Sequence, residues 1–162
     1  MPRQRHMTSV YLCDGGKVLM LYRQGSSVAS DRWIGSAGGH FEPEELGNAR
    51  ACVLRELEEE MGIQEAQLQN LQLRYITLRR TNGEIRMNYY FFADLPSGQN
   101  MRLFSNEGVL RWFDLTELSG LTMPYSAKPM IEHYLRQGQY DQQLYVGTAN
   151  GEQVVFHPLP DT

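Results

Sequence analysis

Apolar positions fall into short runs whose period changes along the chain. Residues 10–13 (VYLC) and 17–23 (KVLMLYR) are rich in strand formers and separated by Asp14-Gly15-Gly16, which predicts a β-hairpin. A glycine-rich segment, WIGSAGGHFEPEELGN over residues 33–48, then leads into a run with helical period, ARACVLRELEEEM. Asn48 suits the N-cap of that helix, and Gly62 suits the residue that ends it. Residues 72–80 and 84–95 read as strands about Asn82-Gly83, the strongest short hairpin signal. Residues 109–115 predict a further strand, and residues 127–138 a second helix with Pro129 in its first turn. The tail, residues 144–156, reads as a closing hairpin turning at Asn150-Gly151 that extends the sheet or covers its edge. Strands and helices mixed with hairpins, without strict βαβ alternation, predict an α+β sandwich.

Composition narrows the class. With 162 residues, 41% of them hydrophobic and 21% charged, the chain is expected to form one domain over residues 1–162. No apolar run approaches a membrane span, and the N-terminal apolar stretch is broken at once by Asp14 and glycines, unlike a signal peptide. A net charge of −4 gives no basic footprint for a nucleic-acid polymer. Cys13 and Cys52 are too few and unpatterned for a disulfide framework, so free thiols and a cytoplasmic location are expected.

One stretch resists the reading of a solvated helix. RELEEEMG, residues 55–62, packs four glutamates into five consecutive positions. At 100° per residue Glu56, Glu59 and Glu60 share a face, while Glu58 points elsewhere and Val53, Leu54, Leu57 and Met61 form an apolar stripe. Like charges at these spacings repel, and Glu59 and Glu60 also sit at the negative end of the helix dipole. Arg55 can pair with Glu58 and Glu59 but cannot neutralise the whole set. Hard divalent cations can, because carboxylate oxygens suit Mg²⁺ and Mn²⁺.

Gly39-His40-Phe41-Glu42-Pro43-Glu44-Glu45, followed downstream by Arg55-Glu56-Leu57-Glu58-Glu59-Glu60-Met61-Gly62-Ile63, resembles the Nudix box of the Nudix hydrolases. The helix half matches at every fixed position. The loop half differs: nine residues rather than seven separate Glu45 from Arg55, as if the loop around residues 46–48 were longer by two. The resemblance extends to the order of elements over residues 8–137 and implies the Nudix α/β/α sandwich with a mixed sheet, to which residues 138–162 add a hairpin.

It also implies Mg²⁺-dependent cleavage of a diphosphate linkage in a nucleoside diphosphate derivative, with Mn²⁺ an alternative cation. Glu56, Glu59 and Glu60 are then the metal ligands, joined by the backbone carbonyl of Gly39. Ser105-Asn106-Glu107, shortly before Trp112-Phe113, is similar to a segment of MutT-type triphosphatases and makes Glu107 a ligand or general base from outside the box. Which of Glu56, Glu59 and Glu107 takes the proton is open, and Arg55 is expected to orient the acids. Arg23, His40 and Tyr90 are candidates for contact with substrate; His6, His133 and His157 have no partner pattern.

The expected substrate is a nucleoside triphosphate, cut to monophosphate and pyrophosphate. Met123-Pro124-Tyr125-Ser126 stands where relatives carry a tryptophan and acids that read an oxidised purine, which argues against that specificity. ADP-ribose, a nucleotide sugar or a dinucleoside polyphosphate is the alternative substrate, and a nucleotide-sensing module without catalysis the alternative class. The tail hairpin is a candidate contact for a homodimer.

Overall fold

The computed structural model describes residues 2–23 and 31–162. Its strands are β1 (Arg3–Asp14), β2 (Lys17–Arg23), β3 (Trp33–Gly35), β4 (Ala37–His40), β5 (Gln69–Thr81), β6 (Glu84–Asp94), β7 (Gly108–Asp114), β8 (Tyr145–Ala149) and β9 (Val154–Pro158). Two helices, α1 (Ala49–Met61) and α2 (Ala127–Arg136), accompany them. One mixed sheet runs β3-β2-β1-β6-β5-β8-β9, with β4 also on β1 and β7 also on β2. The pairings β1–β6 and β5–β8 are parallel and the others antiparallel.

Alternation along the strands sends side chains to two cores. Val10, Leu12, Leu19, Phe91 and Ala93 pack under Val53 and Leu57 of α1. Tyr11, Val18, Met20, Tyr90 and Phe92 pack on the opposite face under Met130 and Ile131 of α2. Enclosing a side chain such as Leu57 stabilises the fold by about 1.5–3 kcal/mol, so each helix is held mainly by its apolar stripe. The result is the α/β/α sandwich expected from the element order.

The expected hairpins form. Asn82 and Gly83 have φ of 50° and 74°, the left-handed pair that a two-residue hairpin turn requires. The tail hairpin extends the sheet, because β8 joins the free side of β5. The first strand is longer than its apolar run: β1 begins at Arg3, since parallel pairing with β6 carries it through the polar residues Arg3 to His6.

The glycine-rich segment hides two short strands. β3 adds to β2 and β4 to β1, so the sheet forks where β1 and β2 part. Ser36, fully enclosed, bridges the fork by donating to the Leu19 carbonyl at 2.5 Å and accepting from the Leu12 amide at 3.0 Å. A Cβ added at Gly35 would lie 2.9 Å from the Val10 carbonyl oxygen, and one at Gly38 would collide with that of Thr8. Only glycine lets the backbone come this close.

Candidate active site

Helix α1 is fixed at both ends. The Asn48 side chain accepts the Ala51 amide at 3.1 Å, and Gly62, left-handed, closes the other end by donating to the Glu58 carbonyl at 2.9 Å. With Val53 and Leu57 turned into the sheet, Glu56 and Glu60 face the β4 edge of the fork, while Glu58 is exposed.

Arg55 organises the acids. Its Nε donates to Glu45 Oε2 at 2.8 Å and its Nη2 to Glu45 Oε1 at 2.9 Å, a two-bond fork. Its Nη1 donates to both Glu56 Oε1 and Glu59 Oε2 at 3.0 Å, and its Nη2 reaches the His40 carbonyl at 3.1 Å. The two extra residues before the helix do not prevent the Glu45 pairing. A 3₁₀ turn at Pro43–Glu45, with Glu45 Oε1 accepting the Glu42 amide at 2.9 Å, aims the carboxylate back at α1. Glu45 is 6% exposed, and the Arg55 guanidinium holds its pKa down at about 2 against the opposing effect of burial.

Glu60 lies beyond the reach of Arg55. It accepts the Gly38 amide at 3.0 Å, yet burial pushes its pKa up to about 7, with Glu56 and Glu107 adding to the rise. The Gly38 amide and Arg23 oppose it. Burial also raises the Glu56 pKa, opposed by Arg55. Gly39 leaves room for Glu56: a Cβ there would stand 2.5 Å from Glu56 Oε1. The Gly39 carbonyl accepts the Thr8 hydroxyl at 3.5 Å and the Cys52 thiol at 3.8 Å.

The loop before β7 closes the site. Asn106 donates its amide to the Glu60 carbonyl and its side-chain Nδ2 to the Glu59 carbonyl, both at 3.2 Å, and so caps carbonyls that α1 leaves unpaired. The Glu107 amide donates to Ser105 Oγ at 3.1 Å, and Ser105 bridges to Gly108. Gly108 in turn pairs with Arg23 at the end of β2. Glu107 and Arg23 are thereby brought to the end of α1, where both act on Glu60. Three participants have no signature in the sequence: Asn106 as a cap, Gly38 as an amide donor and Thr8 beneath Gly39.

The candidate substrate contacts divide. The His40 ring accepts Arg5 Nη2 at 3.0 Å in an exposed position, and its pKa is lowered by burial first and then by Arg5, Arg23, Arg3 and Arg86. Tyr90 is 4% exposed and stacked into the α2-side core, with Tyr11 6.3 Å away between ring centroids. Strand alternation turns it inward, away from the surface.

Among the described residues no three acidic, histidine or cysteine side chains stand together as a finished metal cage, since Arg55 draws Glu56 and Glu59 towards itself. The donor chemistry nevertheless fits a hard divalent cation. Glu56 and Glu60 are carboxylates burdened first by burial, Glu56 also by Glu59 and Glu45, and Glu60 by Glu56 and Glu107.

The NUDIX domain family model matches residues 2–134. The chain belongs to the Nudix hydrolase family. Solved structures of this fold agree in architecture with the Nudix chain described above. The MutT mutator protein of Bacillus halodurans shares 23% identity and a TM-score of 0.67, with 98% of this chain and 99% of that one covered. A MutT protein of Methanosarcina mazei Go1 shares 19% identity and a TM-score of 0.66, with 85% and 97% covered. The Ap4A hydrolase of C. elegans shares 18% identity and a TM-score of 0.59, with 84% and 97% covered. No curated protein matches the chain significantly. As a Nudix hydrolase the protein is a pyrophosphohydrolase, and no helix among its described residues is long and apolar enough to cross a membrane.

Proposed function

We propose that this Nudix hydrolase is a Mg²⁺-dependent nucleotide pyrophosphohydrolase that cuts a nucleoside triphosphate to the monophosphate and pyrophosphate. One observation carries the reading: the half-enclosed acids at the end of α1, Glu60 above all, hold more negative charge than Arg55 and Arg23 offset. Glu56, Glu59 and Glu60 are the residues that hold Mg²⁺, with Mn²⁺ accepted by the same oxygen donors. When bound, the cation supplies positive charge against the diphosphate oxygens and orients them for displacement.

The chain's own groups do the rest. Arg55 keeps Glu56 and Glu59 in place and anchors the helix to the loop through Glu45 and the His40 carbonyl. Gly39 leaves the space that Glu56 occupies. Glu107, held beside Glu60 by the Asn106 cap, and Glu59, exposed at the rim, are placed to accept the proton of an attacking water. Arg23 meets a phosphate oxygen at the mouth of the fork.

A second reading, a dinucleoside polyphosphate as substrate, is favoured by the fold shared with the Ap4A hydrolase. A nucleotide sensor without catalysis is disfavoured, because the acids needed for cleavage are all present. The free thiols of Cys13 and Cys52 suit the reducing cytoplasm. Phosphorus NMR of the products is the test. Monophosphate with pyrophosphate supports the triphosphatase, whereas diphosphate with orthophosphate, or turnover of dinucleoside polyphosphates alone, overturns it.

A further inference from the structure

Three arginines stand in one row across three neighbouring strands. The register pairs Arg5 of β1 with Arg86 of β6, and Arg86 with Arg79 of β5. Alternation from the enclosed Tyr11, Tyr90 and Tyr75 puts all three side chains on the face of the sheet that carries α2. Like charges directly opposite one another destabilise a sheet, and one carboxylate, Glu84, stands near two of the three. Glu84 Oε2 lies 3.5 Å from Arg5 Nε and 4.0 Å from Arg86 Nε. The second distance is too long for a hydrogen bond, and among the described residues Arg86 Nε is enclosed without a partner. Arg79 lies over the Tyr125 ring, 4.3 Å from its centroid, and pairs with no carboxylate among the described residues.

The row is connected to the acidic site. His40 is opposite Met7, two residues from Arg5 along β1, and its ring accepts the Arg5 guanidinium while its carbonyl accepts Arg55. Along β1, Arg5 is four residues from Ser9, which is opposite Gly38, the donor to Glu60. At about 3.3 Å per residue Arg5 stands about 13 Å along β1 from Ser9, further than the two phosphates being parted. A crevice of about 450 Å³ beside it is lined by Arg3, Arg5, His40 and Glu42.

We propose that Arg5, Arg86 and Arg79 form an anion subsite for a phosphate that the substrate carries beyond the diphosphate linkage being cut. Three arginines paired in register across β1, β6 and β5 offer donors suited to the oxygens of a phosphate, whose charge opposes theirs. The choice of substrate rests on the hydrolase reading above; the anion site itself does not.

Titration of the full-length protein with inorganic phosphate, followed by NMR of the arginine Nε–H signals, tests the site without turnover. Saturable shifts are expected at Arg5, Arg79 and Arg86, with Arg50 and Arg136 unmoved. Arg86→Gln should abolish the shifts without lowering Tm, and Arg86→Lys should restore part of them. Absent shifts, equal shifts at Arg50, or a lowered Tm in Arg86→Gln would overturn the proposal.

Turnover then identifies the source of the phosphate. In Arg86→Gln, kcat/KM should fall by about tenfold for only one of three substrates: a nucleoside triphosphate, a dinucleoside tetraphosphate or a 3′-phosphorylated nucleoside diphosphate derivative. Equal losses on all three, or none, contradict a role in substrate selection. If none is hydrolysed by the parent protein, the hydrolase reading fails while the phosphate titration still decides the subsite.

Discussion

Glu60 occupies a place where burial and two neighbouring carboxylates oppose ionisation, while one backbone amide and a distant guanidinium favour it. Its pKa of about 7 exceeds the ordinary 4.5, so between those values the folded chain holds a proton that the unfolded chain has released. Without metal its contribution is therefore fully present below about pH 4.5 and lost as pH rises through about 7. A divalent cation reverses this by favouring the ionised form. The rise in Tm on adding Mg²⁺ should accordingly be larger at pH 8 than at pH 5, and equal shifts would count against metal at this carboxylate. Glu60→Gln should lower kcat by about 100-fold or more with an unchanged circular dichroism spectrum. Glu45 behaves oppositely, since Arg55 holds its pKa at about 2. Its stabilising effect is present above about pH 4.5 and lost as pH falls towards 2. Glu45→Gln should cost about 1.5–3 kcal/mol at neutral pH and less near pH 2, measured by urea unfolding.

At the scale of elements, the junction between α1 and the loop before β7 ties the proposed site to helix termination. Asn106→Ala leaves the Glu59 carbonyl without its side-chain donor and should cost about 1 kcal/mol, measurable in Tm, while lowering kcat through the displaced Glu107. Loss of stability with unchanged kcat would separate Glu107 from the chemistry. Much of this scale was legible beforehand. Asn48, Gly62, Asn82-Gly83 and the change of apolar period marked α1 and the hairpins, because caps and tight turns are local. The wedge of β3 and β4 was not, since glycines weaken strand propensity and are chosen here for close approach to β1. Nor could spacing show that Glu45 would meet Arg55 across a longer loop: the 3₁₀ turn at Pro43–Glu45 aims the carboxylate back at α1, and turns of that kind leave little trace in composition.

At the scale of the whole molecule, the parallel union of β1 with β6 decides which side chains share a face, and no local pattern announces it. That union places Tyr90, a candidate for contact with substrate, in the α2-side core. It also aligns Arg5 with Arg86, which residue-by-residue reading could not bring together. The helix acids were legible because one helix carries them all; their surroundings, Gly38, Asn106 and Arg23, come from three other parts of the chain. In the proposed function the arrangement opposes negative charge with a cation and presents a diphosphate to water. Its most direct test is pyrophosphate release from a panel of nucleoside triphosphates, with and without Mg²⁺. The account predicts release that requires Mg²⁺ and disappears in Glu60→Gln; release independent of Mg²⁺, or near-normal turnover by Glu60→Gln, would contradict it.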